Sequence, residues 1–174
     1  MSLSEDIIKY FDEAKDYIEL VDKLTLQHTQ TLDNIIKEIS KLMEQPDYLL
    51  DIDNIQNYYL KLSTELYILV DKLKKYEIYS SLAKSKETEA YNNAYLKAST
   101  PTDGAKKPTV NDLQIQAIEN SKKESLISVI YSSALKSIKS KIDAGNNVAD
   151  TLKNILKTKV SIDFTSNQLN NRSN

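Results

Sequence analysis

The apolar residues in the first quarter of the chain recur at alternating intervals of four and three positions. A repeat of 3.5 residues keeps facing a partner helix only if the two helices supercoil. Thr25 and His28 fill two polar positions of this stripe. The pattern predicts a coiled-coil-like helix over about residues 4–44, with Ser4 as its N-cap and Pro46 beyond its end. The apolar members are Ile7, Phe11, Ala14, Ile18, Val21, Leu32, Ile35, Ile39 and Leu42.

A second stripe with the same spacing predicts a second helix over about residues 54–97, with Asp53 as its cap. Its first half is large and apolar, and its second half is small or polar. Small residues bury little area, so this half is expected to depend on another helix or subunit. The stripe comprises Ile55, Tyr59, Leu62, Leu66, Leu69, Leu73, Tyr76, Ser80, Ala83, Glu87, Ala90 and Ala94.

The last third of the chain is predicted to contain two more helices. Residues 99–108 are rich in Gly and Pro and predict an exposed loop, after which Thr109 and Asp112 form a capping-box pattern. The third helix is expected over about residues 110–143, ended by Gly145, and a short helix over 147–157. The apolar stripe of the third helix comprises Leu113, Ala117, Ile127, Tyr131, Ala134, Ile138 and Ile142.

These elements predict an all-α protein with one elongated domain over residues 1–160. Residues 161–174 are mostly polar and are expected to form a flexible tail. Two glycines and three prolines in 174 residues leave few positions for tight turns.

Composition excludes most catalytic chemistry. The chain has no cysteine and one histidine, so the usual disulfide, thiolate and zinc sites are not expected. No P-loop or nucleophile-elbow motif occurs. We therefore expect no enzyme activity, no cofactor and no metal. The chain has no signal-peptide pattern and no run of about 18 apolar residues, which predicts a cytoplasmic protein without a membrane contact.

Charge is unevenly distributed. Residues 1–57 carry 5 Lys and 13 Asp or Glu, whereas residues 58–109 and 110–174 each carry 9 basic and 6 acidic residues. The basic part either binds a polyanion or packs against the acidic first helix. Lysine binds phosphate as a flexible point charge, so binding to nucleic acid would be indifferent to sequence. The candidate DNA-binding residues are Lys84, Lys86, Lys97, Lys106, Lys107, Lys136, Lys139 and Lys141.

Two segments carry a resemblance to a known family. AlaLysSerLysGluThrGluAlaTyr spans residues 83–91, and SerSerAlaLeuLysSerIleLysSerLys spans 132–141. With the order of helix, Gly-containing loop and capped helix over residues 56–156, they resemble the UvsY-type recombination mediators of T-even-like phages. The chain departs from that family at Glu89, Ala90 and Tyr91, where the family has a short basic motif. DNA contact would then shift to the nearby lysines.

The resemblance implies a non-enzymatic homo-oligomer that binds single-stranded DNA without sequence preference. Its implied partners are a RecA-type recombinase and a single-strand-binding protein, in the cytoplasm of a host cell. Two alternatives stay open. One is a phage structural or assembly protein whose helices make only protein contacts, and the other is an inhibitor or adaptor that uses the acidic first helix.

Overall fold

The computed structural model describes residues 3–46, 51–100 and 108–172, and the side chains of residues 15–162 within these ranges. These residues form three helices, α1 (Leu3–Met43), α2 (Ile52–Ser99) and α3 (Val110–Arg172), and no strand. The all-α prediction is confirmed, and the bounds of the first two helices agree with the predicted ones to within two residues. The predicted supercoil and single domain stay predictions.

The predicted division of residues 110–157 into two helices is wrong, and the flexible tail over residues 161–174 stays a prediction. One helix, α3, runs through the expected stop at Gly145, the short helix over 147–157 and residues 161–172. Gly145 is buried, and a Cβ atom there would lie 2.8 Å from Leu66 Cδ2 and 3.2 Å from Leu32 Cδ1. The glycine therefore serves close packing inside a helix and does not end one.

Local side chains explain where α2 and α3 begin. The Asp53 amide donates to Asp51 Oδ1 at 3.3 Å, so Asp51 caps α2 and the expected cap, Asp53, lies in the first turn. At α3 the capping box is confirmed. The Thr109 amide donates to Asp112 Oδ2 at 3.0 Å, and the Asp112 amide donates to Thr109 Oγ1 at 3.2 Å.

The chain divides into two compact units. Unit 1 contains Met1–Thr25 and Leu73–Ser137, and unit 2 contains Leu26–Lys72 and Ile138–Asn174. Each unit takes a segment from every helix, and the two have different cores.

Unit 2 has a core of large aliphatic side chains from all three helices. Beside it, Thr29 Oγ1 donates to Asp33 Oδ2 at 3.2 Å, and Lys141 forms an ion pair with the same oxygen. Lys141 thus connects α3 to α1. The buried members of this core are Leu32, Ile39, Ile55, Leu62, Leu66, Leu69, Ile138, Ile142, Ala149 and Leu152.

Unit 1 has a core of small and polar side chains, as the second half of the α2 stripe predicts. Ser121 and Ser128 of α3 are buried in positions that the sequence pattern does not assign to the core. Ser121 Oγ donates to the Ala117 carbonyl of the previous turn at 2.8 Å, which satisfies its hydroxyl without a partner from another helix. The other buried members are Thr25, Tyr76, Ala83, Ala94, Leu113, Ala117 and Ala134.

Two predicted core residues of unit 1 are exposed instead. Ile18 of α1 is 61% exposed and Ile127 of α3 is 39% exposed. Tyr17 is partly buried in place of Ile18, four residues before Val21. A straight helix drifts from a strict 3.5-residue repeat, and the steps of four from Thr25 to Val21 to Tyr17 follow that drift.

Candidate nucleic-acid interface

A groove lies between α2 and α3 in unit 1. Its volume is about 550 Å³, and a second groove between the same helices has the same volume. Two lysines line the first groove, one from each helix, together with two tyrosines and an apolar row on α3. The lining residues are Tyr17, Lys84, Glu87, Thr88, Tyr91, Ile118, Ser121, Lys122, Ser125, Leu126 and Val129.

Helix periodicity explains the α3 wall of the groove. Ile118, Lys122, Leu126 and Val129 follow one another at intervals of four, four and three residues, which places them on one face of the helix. The lysine therefore lies within an otherwise apolar row. Its aliphatic stem can cover the neighbouring apolar surface while the ammonium group reaches solvent.

Glu87 is held at the base of the groove by partners from both helices. Its side chain is 20% exposed, with Lys84 Nζ at 2.9 Å from Oε2 and Ser125 Oγ donating to Oε1 at 3.0 Å. The hydrogen bond from Lys84, with those from Ser128 and Ser125, holds the pKa of the Glu87 carboxyl below its usual value. Glu87 therefore stays ionised and restrains Lys84 along its own helix.

Tyrosines occur in two clusters of unit 1. Tyr91 and Tyr95 stack with ring centroids 6.5 Å apart and planes 24° apart, and Tyr91 also lines the groove. Tyr76 packs against Tyr79 and Tyr131 at 6.0 and 6.5 Å, and its burial raises the pKa of the Tyr76 hydroxyl. Tyr76 is a core residue, whereas Tyr91 borders the groove.

The predicted DNA-binding lysines on α2 do not share one face. Each residue turns an α-helix by about 100°, so residues two positions apart differ by about 200° of rotation. Lys84 and Lys86 therefore point about 160° apart. Lys97 points about 140° away from Lys84 and lines the second, more polar groove with Asn93, Gln116, Asn120 and Glu124. Only Lys84 belongs to the groove with the tyrosines.

The remaining predicted lysines are divided between the units. Lys136 is exposed in unit 1, and Lys139 is exposed in unit 2. Lys141 of unit 2 is partly buried and ion-paired with Asp33. Lys106 and Lys107 lie outside the described residues.

Sequence reasoning missed Lys122 and Tyr17. The intervals from Ile118 to Leu126 are enough to place Lys122 on the same face of α3 as these two residues. Its position across a groove from Lys84 depends on how α2 and α3 align along their lengths, which the sequence pattern does not show. Tyr17 was missed because the 3.5-residue repeat selects Ile18.

Within the described ranges, the acidic and histidine side chains do not cluster as a metal site would require: no group of three or more His, Cys, Asp or Glu side chains there could hold a metal ion. No helix in the same part of the chain has a stretch long and apolar enough to cross a membrane.

Comparison with protein-family models, curated proteins and solved structures found no match.

Proposed function

We propose that this protein is a non-enzymatic accessory protein that binds single-stranded DNA without sequence preference and works as a homo-oligomer. The observation that carries the proposal is the unit 1 groove, where Lys84 and Lys122 border the same concavity as Tyr91. Proteins that bind single strands combine cations along the backbone with aromatic rings on which bases stack. A RecA-type recombinase and a single-strand-binding protein are the proposed partners, on the resemblance to UvsY-type mediators.

The groove favours single strands over duplex DNA for a geometric reason. The bases of a duplex are stacked on each other, whereas a single strand can turn a base toward Tyr91 while its phosphates meet the lysines. Glu87 opposes this binding with one negative charge, which Lys84 partly neutralises. The affinity of one copy should therefore be low, and several copies on one strand would be needed for firm binding.

The test is a titration of a labelled single-stranded oligonucleotide, followed by fluorescence anisotropy at several salt concentrations. The double variant Lys84→Gln with Lys122→Gln should weaken binding. It should also reduce the slope of log K against log salt by about 1.4, since each lost phosphate contact removes about 0.7. A Tyr91→Leu variant should weaken single-strand binding by roughly tenfold, in line with about 1–3 kcal/mol per stacked base.

The matched control is Lys153→Gln with Lys157→Gln, which removes the same charge from exposed positions of unit 2. The control should bind like the unmodified protein. Equal losses in the two double variants would contradict a role for the groove, because net charge alone would then explain the binding.

A structural or assembly protein is the second candidate, and exposed apolar side chains favour it. In unit 1, Ile78, Leu82 and Leu96 are each more than half exposed along one side of α2. Apolar side chains grouped on one exposed side of a helix favour a protein contact. This candidate predicts self-association with no affinity for either single-stranded or duplex DNA.

A further inference from the structure

Within unit 1, α2 exposes apolar side chains on the side that faces away from its buried stripe. Ile78 is 65% exposed and Leu82, one turn later, is 51% exposed. Ser81 and Ser85 border these side chains on one side, Lys86 lies on the other, and all three are exposed. The serines and the aliphatic stem of Lys86 leave a narrow apolar face on which another helix can approach.

The charges at the two ends of this face have opposite signs. Lys74 and Lys75 precede Ile78 by about one turn, and Glu89 follows Leu82 by two turns. All three are exposed, and no ion pair among the described residues involves Lys75 or Glu89. Lys75 and Glu89 are each seven residues from Leu82, so these two charges are complementary about that residue, whereas Lys74 and Lys86 have Ala90 and Ile78 at the equivalent positions.

We propose that a second copy of this chain packs antiparallel along residues 74–89 of α2, with Leu82 on the two-fold axis. In that register Lys75 lies opposite Glu89 of the partner subunit, and the symmetry repeats the pair. Ile78 then lies level with Lys86 of the partner subunit and beside the small Ser85 of the partner subunit. In a parallel pair, Lys75 would lie opposite Lys75 of the partner subunit and Glu89 opposite Glu89 of the partner subunit. The repulsion between these like charges would destabilise the pair. The inference rests on the self-association in the proposed function and is independent of its DNA binding.

The length of the face sets the strength of the contact. Residues 75–89 span about 21 Å of helix, which is short against the interfaces of permanent dimers. We therefore expect a reversible dimer whose population rises with protein concentration.

Charge reversal tests the orientation, with sedimentation velocity over a wide range of protein concentration and no DNA present. Lys75→Glu and Glu89→Lys should each weaken the dimer by about tenfold or more, because each change creates two repulsive pairs. The double variant should restore the affinity to within about threefold of the unmodified protein. Lys123→Glu, an exposed change on α3 with the same charge difference, is the control and should leave the dimer unaffected.

Disulfide trapping tests the register, since the chain has no cysteine of its own. Leu82→Cys should form a covalent dimer on oxidation. Ile78→Cys should not, because the two copies of residue 78 are about 12 Å apart along the helices and a disulfide needs Cα atoms within about 7 Å. Covalent dimers from both variants would indicate parallel packing.

Three results would overturn the inference: parallel packing, a monomer at every concentration, or a dimer that no charge variant affects. The DNA titration is separate, so loss of the dimer inference and loss of DNA binding are distinguishable.

Discussion

Replacing Gly145 by alanine tests the packing of unit 2 directly. Alanine is more favourable than glycine in a helix by about 1 kcal/mol. Its Cβ would lie 2.8 Å from Leu66 Cδ2, and overpacking of a filled core costs about 1–3 kcal/mol. Taking about 2 kcal/mol for the overpacking, we expect Gly145→Ala to lower the free energy of unfolding by about 1 kcal/mol.

The same change should have the opposite sign once both obstructing side chains are shortened. Leu66→Val with Leu32→Val removes the Cδ atoms that crowd position 145, so Gly145→Ala in that background should raise the free energy of unfolding by about 0.5–1 kcal/mol through helix propensity. The coupling between position 145 and the two leucines is then about 2 kcal/mol, which is within the range for residues in contact.

The assay is urea unfolding followed by far-ultraviolet circular dichroism on the four proteins of this cycle. Ala144→Gly, at the exposed neighbouring position, calibrates the helix propensity and should cost about 1 kcal/mol. Stabilisation by Gly145→Ala in both backgrounds would refute the close approach of α3 to Leu66. A cost in both backgrounds would contradict the claim that the Leu66 and Leu32 side chains are what oppose a Cβ atom at position 145.

Three further predictions concern single side chains. Burial, followed by the nearby Lys72 charge, lowers the pKa of His28, so the unfolded state binds more protons than the folded state. The urea concentration at the unfolding midpoint should therefore decrease as the pH is lowered from about 7.5 to about 5.5, and His28→Gln should flatten this pH dependence. Lys141→Met should lower the free energy of unfolding by at most about 1 kcal/mol, because the pair with Asp33 is partly exposed, while single-strand affinity measured by anisotropy stays unchanged. Glu87→Gln should cost about 1 kcal/mol in urea unfolding through its weakened hydrogen bonds and should raise single-strand affinity at low salt, since it removes the acid of the groove; unchanged or weaker DNA binding would contradict the proposed site.

The sequence predicts the packing of α2 almost completely. Every position of its predicted stripe is buried or partly buried, from Ile55 to Ala94. The 3.5-residue repeat of α2 keeps one face inward along its length, whereas α1 departs from the same repeat at Ile18. The weak half of the stripe was also identified correctly, since alanine and serine at these positions bring the helices close and bury little area.

Gly145 and the buried serines were beyond sequence reasoning for a different reason. One sequence does not distinguish a glycine that ends a helix from a glycine that makes room for side chains of neighbouring helices. At Gly145 those side chains are Leu66 and Leu32, about 80 and 110 positions away in the chain. Serine is usually a surface residue, and Ser121 is buried only because its hydroxyl bonds to its own helix. The groove depends likewise on how α2 and α3 align, which the repeat does not fix.

The most direct test of the central claim is the affinity of the unmodified protein for single-stranded and duplex oligonucleotides of one sequence, measured by anisotropy from low to moderate salt. The account predicts binding to the single strand that weakens steeply as salt rises, with weaker binding to the duplex. No binding to the single strand even at low salt would contradict the claim and would favour a helical protein that makes protein contacts alone.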